Sequence, residues 1–426
     1  MKPLRAGDRI LVQKYLYELF PPERWDVVVF KNPESATQNF IKRLVGLPNE
    51  QVWLADGDVF TRPVRVGADG SATPTGEWRV QRKPDRVQRA VWAPVFSSEY
   101  APLNPRRDGR EWFSPPWSGA GWTTGAAREY RCESDGASVL SWDSERWPVW
   151  GWVPYNEIPE RTLFNRQVQM FPVADVRLRA GVRADREGLS AAATIASHGH
   201  EWRASFDGGT VTISTRPQGD AEWATMTTAP GPRFAPGRFV DLEFWRADQA
   251  LEVWADGRKI AQASYDWSPS KRLSLATGAP EDALTDEGYA GPTLWDASAY
   301  ERARPRVQWS FRGSPVTLAR VGLDRDLYYE PVAFFGGRPA LATSPTNLAT
   351  LGPREHFMLG DNSPASKDGR LWTGVDAPIL EQIGSKVGVV ERDLILGKAF
   401  FVYFPAPRTV GNSIPIPDFG RMRFIR

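Results

Sequence analysis

Apolar and polar residues alternate with period two along much of this chain, which predicts strands with one buried and one wet face. The alternation is clearest over residues 173–182 and 211–214. Residues 239–245 and 250–260 read as a hairpin that turns at Arg246-Ala247-Asp248-Gln249 and is followed by a tight Asp256-Gly257 turn. Near the start, Ile10, Val12 and the run Val27-Val28-Val29 are β-branched, with Pro21-Pro22 breaking between them. Residues 15–20 fit a short helical turn or a loop. Asp56-Gly57, between Val52-Trp53-Leu54 and Val59-Phe60, predicts another hairpin. Residues 307–311 and 316–323 read as closing strands. Residues 64–90 are polar and read as a linker or mobile loop, and 263–305 as loop-rich. The fold class expected is all-β.

Composition narrows the chemistry. The chain has 426 residues, enough for two or three domains, with 41% hydrophobic and 24% charged residues. A net charge of +2 implies no general attraction to nucleic acid or anionic membrane. The one cysteine, Cys132, excludes an intrachain disulfide. The three histidines, His198, His200 and His356, sit in no recognisable nucleophile context, and no metal site or cofactor is expected. No apolar run reaches the roughly 18 residues of a membrane-spanning helix. Tryptophan is abundant, at 19 residues. Trp92, Phe96, Tyr100, Trp112, Phe113, Trp117 and Trp122 fit core packing, the commoner use, or stacking on sugar rings.

One short stretch carries candidate chemistry. In residues 40–50, Lys42 stands between Ile41 and an apolar run that closes on Gly46-Leu47-Pro48. A free lysine has a pKa of about 10.4 and is a poor base at neutral pH. Burial disfavours its charged form, and a neutral amine can take the proton of a serine hydroxyl. The plainer reading is a lysine that snorkels to the surface from a half-buried strand. A second stretch, residues 357–370, holds Gly360-Asp361-Asn362 followed by Ser366, Asp368 and Arg370.

With that second stretch the chain resembles the type I signal peptidases. Gly7-Asp8-Arg9-Ile10-Leu11-Val12 and Trp25-Asp26-Val27-Val28-Val29-Phe30 make the first block; Ile41-Lys42-Arg43 through Gly46-Leu47-Pro48 the second; Gly360-Asp361-Asn362 with Ser366, Asp368 and Arg370 the third. Val402-Tyr403-Phe404 closes the sheet. The resemblance implies a Ser-Lys dyad in which Lys42 is the base, supported by Arg43 and by the Gly360-Asp361-Asn362 turn. Ser366 would orient its amine, and Asp368 would pair with Arg370 to brace the loop. Met1, Pro3, Val28 and Phe30 would line a groove that holds an extended substrate. Two positions depart from the family. Ser363-Pro364 stands where Arg-Asp is usual, and Gly369 replaces a common serine.

The resemblance divides the chain. Residues 1–63 and 324–426 would form a discontinuous catalytic domain, 64–90 a linker, and 91–323 an inserted domain. Residues 239–260 resemble the concanavalin-like, laminin-G-like jelly-roll sandwich. The expected activity is removal of signal peptides from preproteins on the extracytoplasmic face of the cell membrane. In the family the nucleophilic serine directly precedes a Met-x-Pro-Thr-Leu segment. Met1-Lys2-Pro3-Leu4 resembles that segment, which would put the serine and the membrane anchor ahead of Met1. Two expectations follow: a truncated chain, or a pseudo-enzyme. The alternative function is a binding protein whose sandwich takes envelope carbohydrate or protein.

Overall fold

The computed structural model describes residues 8–67, 71–100, 116–124, 128–151, 169–285, 292–333, 337–405 and 419–426, together with short strands at 106–107, 110–111, 408–410 and 414–416. Met1, Pro3, Trp112 and Phe113 lie outside the described residues.

The chain is mostly β. One sheet runs, in spatial order, through Arg9–Gln13, Ile395–Phe404, Val27–Asn32, Ser35–Gly46, Glu355–Leu359 and Val390–Glu391, with Arg423–Phe424 added to Ile395–Phe404. A smaller sheet joins Ala349–Thr350, Glu50–Ala55, Asp58–Val66 and Ala72–Pro74, with Arg79–Val80 also on Asp58–Val66. Both sheets combine strands from the two ends of the sequence. Apolar side chains pack on either face of the long strand Ser35–Gly46, with Val28, Phe30, Leu44, Met358 and Trp372 in one cluster and Trp25, Val45, Phe357 and Leu359 in another.

Between those ends lies a jelly-roll-like sandwich of a seven-stranded and an eight-stranded antiparallel sheet. Val176–Ala184 pairs with Phe239–Ala247 on one side and Val316–Arg325 on the other. Its burial follows the predicted alternation: Val176, Leu178, Ala180 and Val182 are buried, while Arg177, Arg179 and Arg183 are half-buried. The core between the sheets is rich in large rings, including Trp117, Trp202, Phe206, Phe244 and Trp309.

The hairpin turns are those that two-residue loops demand. Asp56-Gly57, Asp248-Gln249 and Asp256-Gly257 have both residues at positive φ, which matches the right-handed twist of the flanking strands. His198-Gly199 turns in the same way between Ser190–Ser197 and His200–Asp207.

Two expectations change, and a third is settled between its alternatives. Residues 64–90 do not form an unpacked linker: they add strands to Asp58–Val66 and then the helix Asp85–Val91, which buries Val87 and Val91. The 263–305 stretch contains the helix Pro269–Thr277, capped by Ser268 and ended by Gly278 at φ 79°. Residues 15–20 resolve as the short helix Leu16–Leu19.

Candidate active site

Strand pairing brings the two candidate stretches together. Lys42 sits opposite Val28, on the strand Ser35–Gly46. On the other side of that strand, Leu359 pairs with Arg43, so the next residue, Gly360, arrives beside Lys42. The chain then makes a 3₁₀ turn at Ser363–Ala365 and presents Ser366. Lys42 Nζ donates to Ser366 Oγ at 2.8 Å.

Lys42 is half-buried, and burial lowers its pKa below the usual lysine value. The Arg370 charge pushes the same way, while Asp368 and Asp361 oppose the shift. The Phe40 ring, 5.4 Å from Nζ, also favours the charged form. Because Nζ donates to Ser366, the lone pair of the neutral amine stays available to another proton.

Gly360 matters for its lack of a side chain. A Cβ there would stand 2.1 Å from Ser366 Oγ and 3.4 Å from Lys42 Nζ. Gly360 is not among the positive-φ glycines; close approach is what requires it. Asn362, which precedes the 3₁₀ turn, is exposed and its side chain makes no capping bond. Gly369 is equally crowded, since a Cβ would lie 2.6 Å from the Gly388 carbonyl oxygen. That leaves no room for the serine common in the family.

Asp368 and Arg370 form a fully buried pair, not a surface one. Arg370 Nε and Nη2 donate to the two Asp368 oxygens at 3.0 and 2.9 Å. Asp368 Oδ2 also accepts from the Gly360 N–H at 2.9 Å, so the pair holds the strand end against Lys42. On the other face of the strand, Arg43 Nε and Nη2 grip the Asp361 carboxylate, each at 2.7 Å, and Arg43 Nη1 donates to the Trp25 carbonyl at 2.8 Å.

Val28 and Phe30 do not line a groove. Both are fully buried in the cluster beneath Lys42, because the residues opposite Lys42 and Phe40 share their face and are covered by Leu44, Met358 and Trp372. Of the aromatics read as core packing or sugar stacking, Trp92, Phe96 and Trp117 are buried and Trp122 is half-buried, whereas Tyr100 is exposed. Among the described residues no group of His, Cys, Asp or Glu could hold a metal ion.

Sequence patterning did not reveal a second cluster, at the junction of the sheets. The Asp56-Gly57 hairpin tip enters a pocket of buried charges. His198 Nε2 lies 2.7 Å from Asp56 Oδ2, and Arg272 reaches Asp56, Asp58 and Asp175 at 3.2, 2.9 and 3.3 Å. Arg246 Nη1 meets Asp175 at 2.9 Å, and Lys83 bridges Asp248 and Asp326 at 2.6 and 2.9 Å. Only the Asp-Gly turn signalled this site.

The family model "Signal peptidase, peptidase S26" matches residues 1–90, which include Lys42 but not Ser366, Asp368 or Arg370. A probable signal peptidase I-2 from Synechocystis is 36% identical over 81 residues, covering 17% of this chain and 37% of that protein. Signal peptidase I of Leptolyngbya laminosa is 40% identical over 63 residues, covering 13% and 31%. The chain thus spans about a third of the length of these curated relatives, and its N-terminal part is related to signal peptidases. Among solved structures, a Bacillus subtilis carbohydrate-binding module, CBM66, has 9% identity and a TM-score of 0.29 over 49% of this chain and 95% of its own. The laminarinase of Rhodothermus marinus has 10% identity and a TM-score of 0.32, over 55% and 98%. At such scores neither bears on what this chain does.

Proposed function

We propose that the chain carries the general-base half of a Ser-Lys peptidase that removes signal peptides from preproteins at the outer face of a membrane. The observation that carries this reading is the Lys42–Ser366 contact of 2.8 Å around an amine that burial inclines to neutrality. Neutral Lys42 would take the proton of the attacking serine hydroxyl as its oxygen bonds to the scissile carbonyl carbon. It would then return that proton to the leaving amine. Ser366 holds Nζ in place, and Asp368 with Arg370 fixes the turn behind it. The family places the attacking hydroxyl beside the segment that Met1-Lys2-Pro3-Leu4 resembles. Among the described residues no helix is long and apolar enough to cross a membrane.

Lys42→Ala should abolish cleavage of a preprotein while leaving the unfolding free energy within about 1 kcal/mol of the original. Undiminished cleavage would remove Lys42 from the role of base.

A further inference from the structure

The segment that returns from the sandwich to the peptidase-like sheets is tied at both ends by buried polar contacts. At its start, Asp326 Oδ2 meets Lys83 Nζ at 2.9 Å, and the same ammonium meets Asp248, on a sandwich hairpin turn, at 2.6 Å. Asp326 Oδ1 also accepts from Gln88 Nε2 at 2.8 Å. Four residues further on, the Glu330 N–H donates to Ser363 Oγ at 2.9 Å. Arg370 Nη1 donates to the Glu330 carbonyl at 2.9 Å and to Ser363 Oγ at 2.7 Å, and Arg370 Nη2 donates to the Ser363 carbonyl at 3.1 Å. Asp326, Glu330, Ser363, Asp368 and Arg370 are all buried.

We propose that Ser363 and Glu330 are positioning residues that clamp the Ser366 turn to this strap, so that the sandwich, through Asp248, Lys83 and Asp326, holds the surroundings of the Lys42 amine in place. Ser363 is one of the positions at which the sequence departs from the signal-peptidase pattern. Its hydroxyl accepts two hydrogen bonds, one from the strap and one from Arg370. Without it, a buried backbone N–H and a buried guanidinium N–H each lose an acceptor, an arrangement that a folded protein relieves by shifting or by admitting water. The guanidinium that would shift is the one that braces Asp368, and Asp368 holds Gly360 against Ser366. Asp368, Arg370 and Asp361 are the charges that act on Lys42, so a loosened turn changes both its hydration and its field. Strap and insertion thereby become part of the site's support.

The inference rests on the reading of Lys42 as a base, and the test separates the two. The rate at which an amine-acylating reagent labels Lys42 is followed by peptide mass mapping from about pH 6 to 11, which reports ionisation without turnover. In Ser363→Ala the half-labelling pH of Lys42 should rise by about one unit, a roughly tenfold smaller neutral fraction at pH 7. Asp248→Asn, at the far end, should move it in the same direction by less. An unmoved Lys42 titration in folded Ser363→Ala overturns the clamp, and an unmoved one in Asp248→Asn overturns the sandwich's part in it. Should Ser363→Ala not fold, Ser363→Cys, similar in shape with a weaker acceptor, is held to the same criterion. If Lys42 of the unaltered protein titrates at the ordinary lysine value, it is the reading as a base that fails.

Discussion

Arg272 Nη1 lies 2.9 Å from Asp58 Oδ2, and neither side chain reaches solvent. The arginine belongs to the helix Pro269–Thr277 and the aspartate to the strand Asp58–Val66. The contact therefore joins the insertion to the five-stranded sheet that holds Glu50–Ala55 and Asp58–Val66. It is one of three that Arg272 makes, the others being with Asp56 and Asp175. Gly57, between the two hairpin aspartates, has φ 85°, and a Cβ there would stand 2.3 Å from the Tyr328 ring. The hairpin tip is thus a close-fitting plug rather than a free turn.

Arg272→Met should destabilise the protein by about 3–5 kcal/mol, because it leaves three buried carboxylates short of a countercharge. The neighbouring Arg246 still faces Asp175, so the loss falls mainly on Asp56 and Asp58. Urea unfolding of the variant against the original measures it. A shift under about 1 kcal/mol would mean that water reaches this junction.

Two buried groups should bend the stability curve in opposite senses. His198 accepts at Nδ1 from Arg246 Nη2, which leaves its ring proton on Nε2, facing Asp56. Burial lowers its pKa to about 4, so it is neutral in the fold where the unfolded chain is already charged. Its contribution is fully present above about pH 6.5 and is lost as pH falls towards 4. Glu330 is the reverse case. Among the described residues neither of its carboxyl oxygens has a hydrogen-bond partner, and burial pushes its pKa up to about 7. Its folded form keeps a proton that the unfolded chain has released, so stability declines as pH rises from about 4.5 through 7. Glu330→Gln should therefore match the original near pH 4.5 and exceed it by up to about 3 kcal/mol at pH 8. Denaturant titrations at the two pH values decide this. An equal gain at both would show that packing, not ionisation, is responsible.

What the sequence disclosed follows how local each signal is. The strand Val176–Ala184 and the Asp-Gly turns were legible because side-chain period and positive φ are properties of neighbouring residues. The helix Pro269–Thr277 had its own signature, Ser268-Pro269 at one end and Gly278 at the other, hidden by a surrounding loop-like composition. Lys42, Ser366, Asp368 and Arg370 were legible only through family blocks, since their meeting depends on strands far apart in the chain. Of the buried ions at Asp56, Asp58, Asp175, Lys83 and Arg272, only the Asp56-Gly57 turn was legible, not the charge cluster around it. A charged residue reads as solvated until partners far along the chain, as Asp326 is from Lys83 and Asp56 from Arg272, are brought beside it. Val28 and Phe30 show the converse error. The resemblance assigned them to a groove, but pairing with Lys42 and Phe40 puts them in the core.

Gly360→Ala tests the geometry around Lys42 with one methyl group. The new Cβ would sit 2.1 Å from Ser366 Oγ and 2.6 Å from Ser366 Cβ, so the serine must move. The Gly360 N–H is held by Asp368, which blocks the strand end from yielding instead. Ser366 is therefore displaced from Lys42 Nζ, and the amine loses its orienting acceptor. Cleavage should fall by about 10²–10⁴-fold, the range that proton transfer by a positioned side chain contributes. Stability should fall by only about 1–3 kcal/mol, the usual cost of overpacking. Ser366→Ala alone should lose less, since it removes the acceptor without adding bulk beside Nζ. If Gly360→Ala retains full cleavage while Lys42→Ala has none, the amine does not depend on Ser366 for its place, and the support assigned to that turn is wrong.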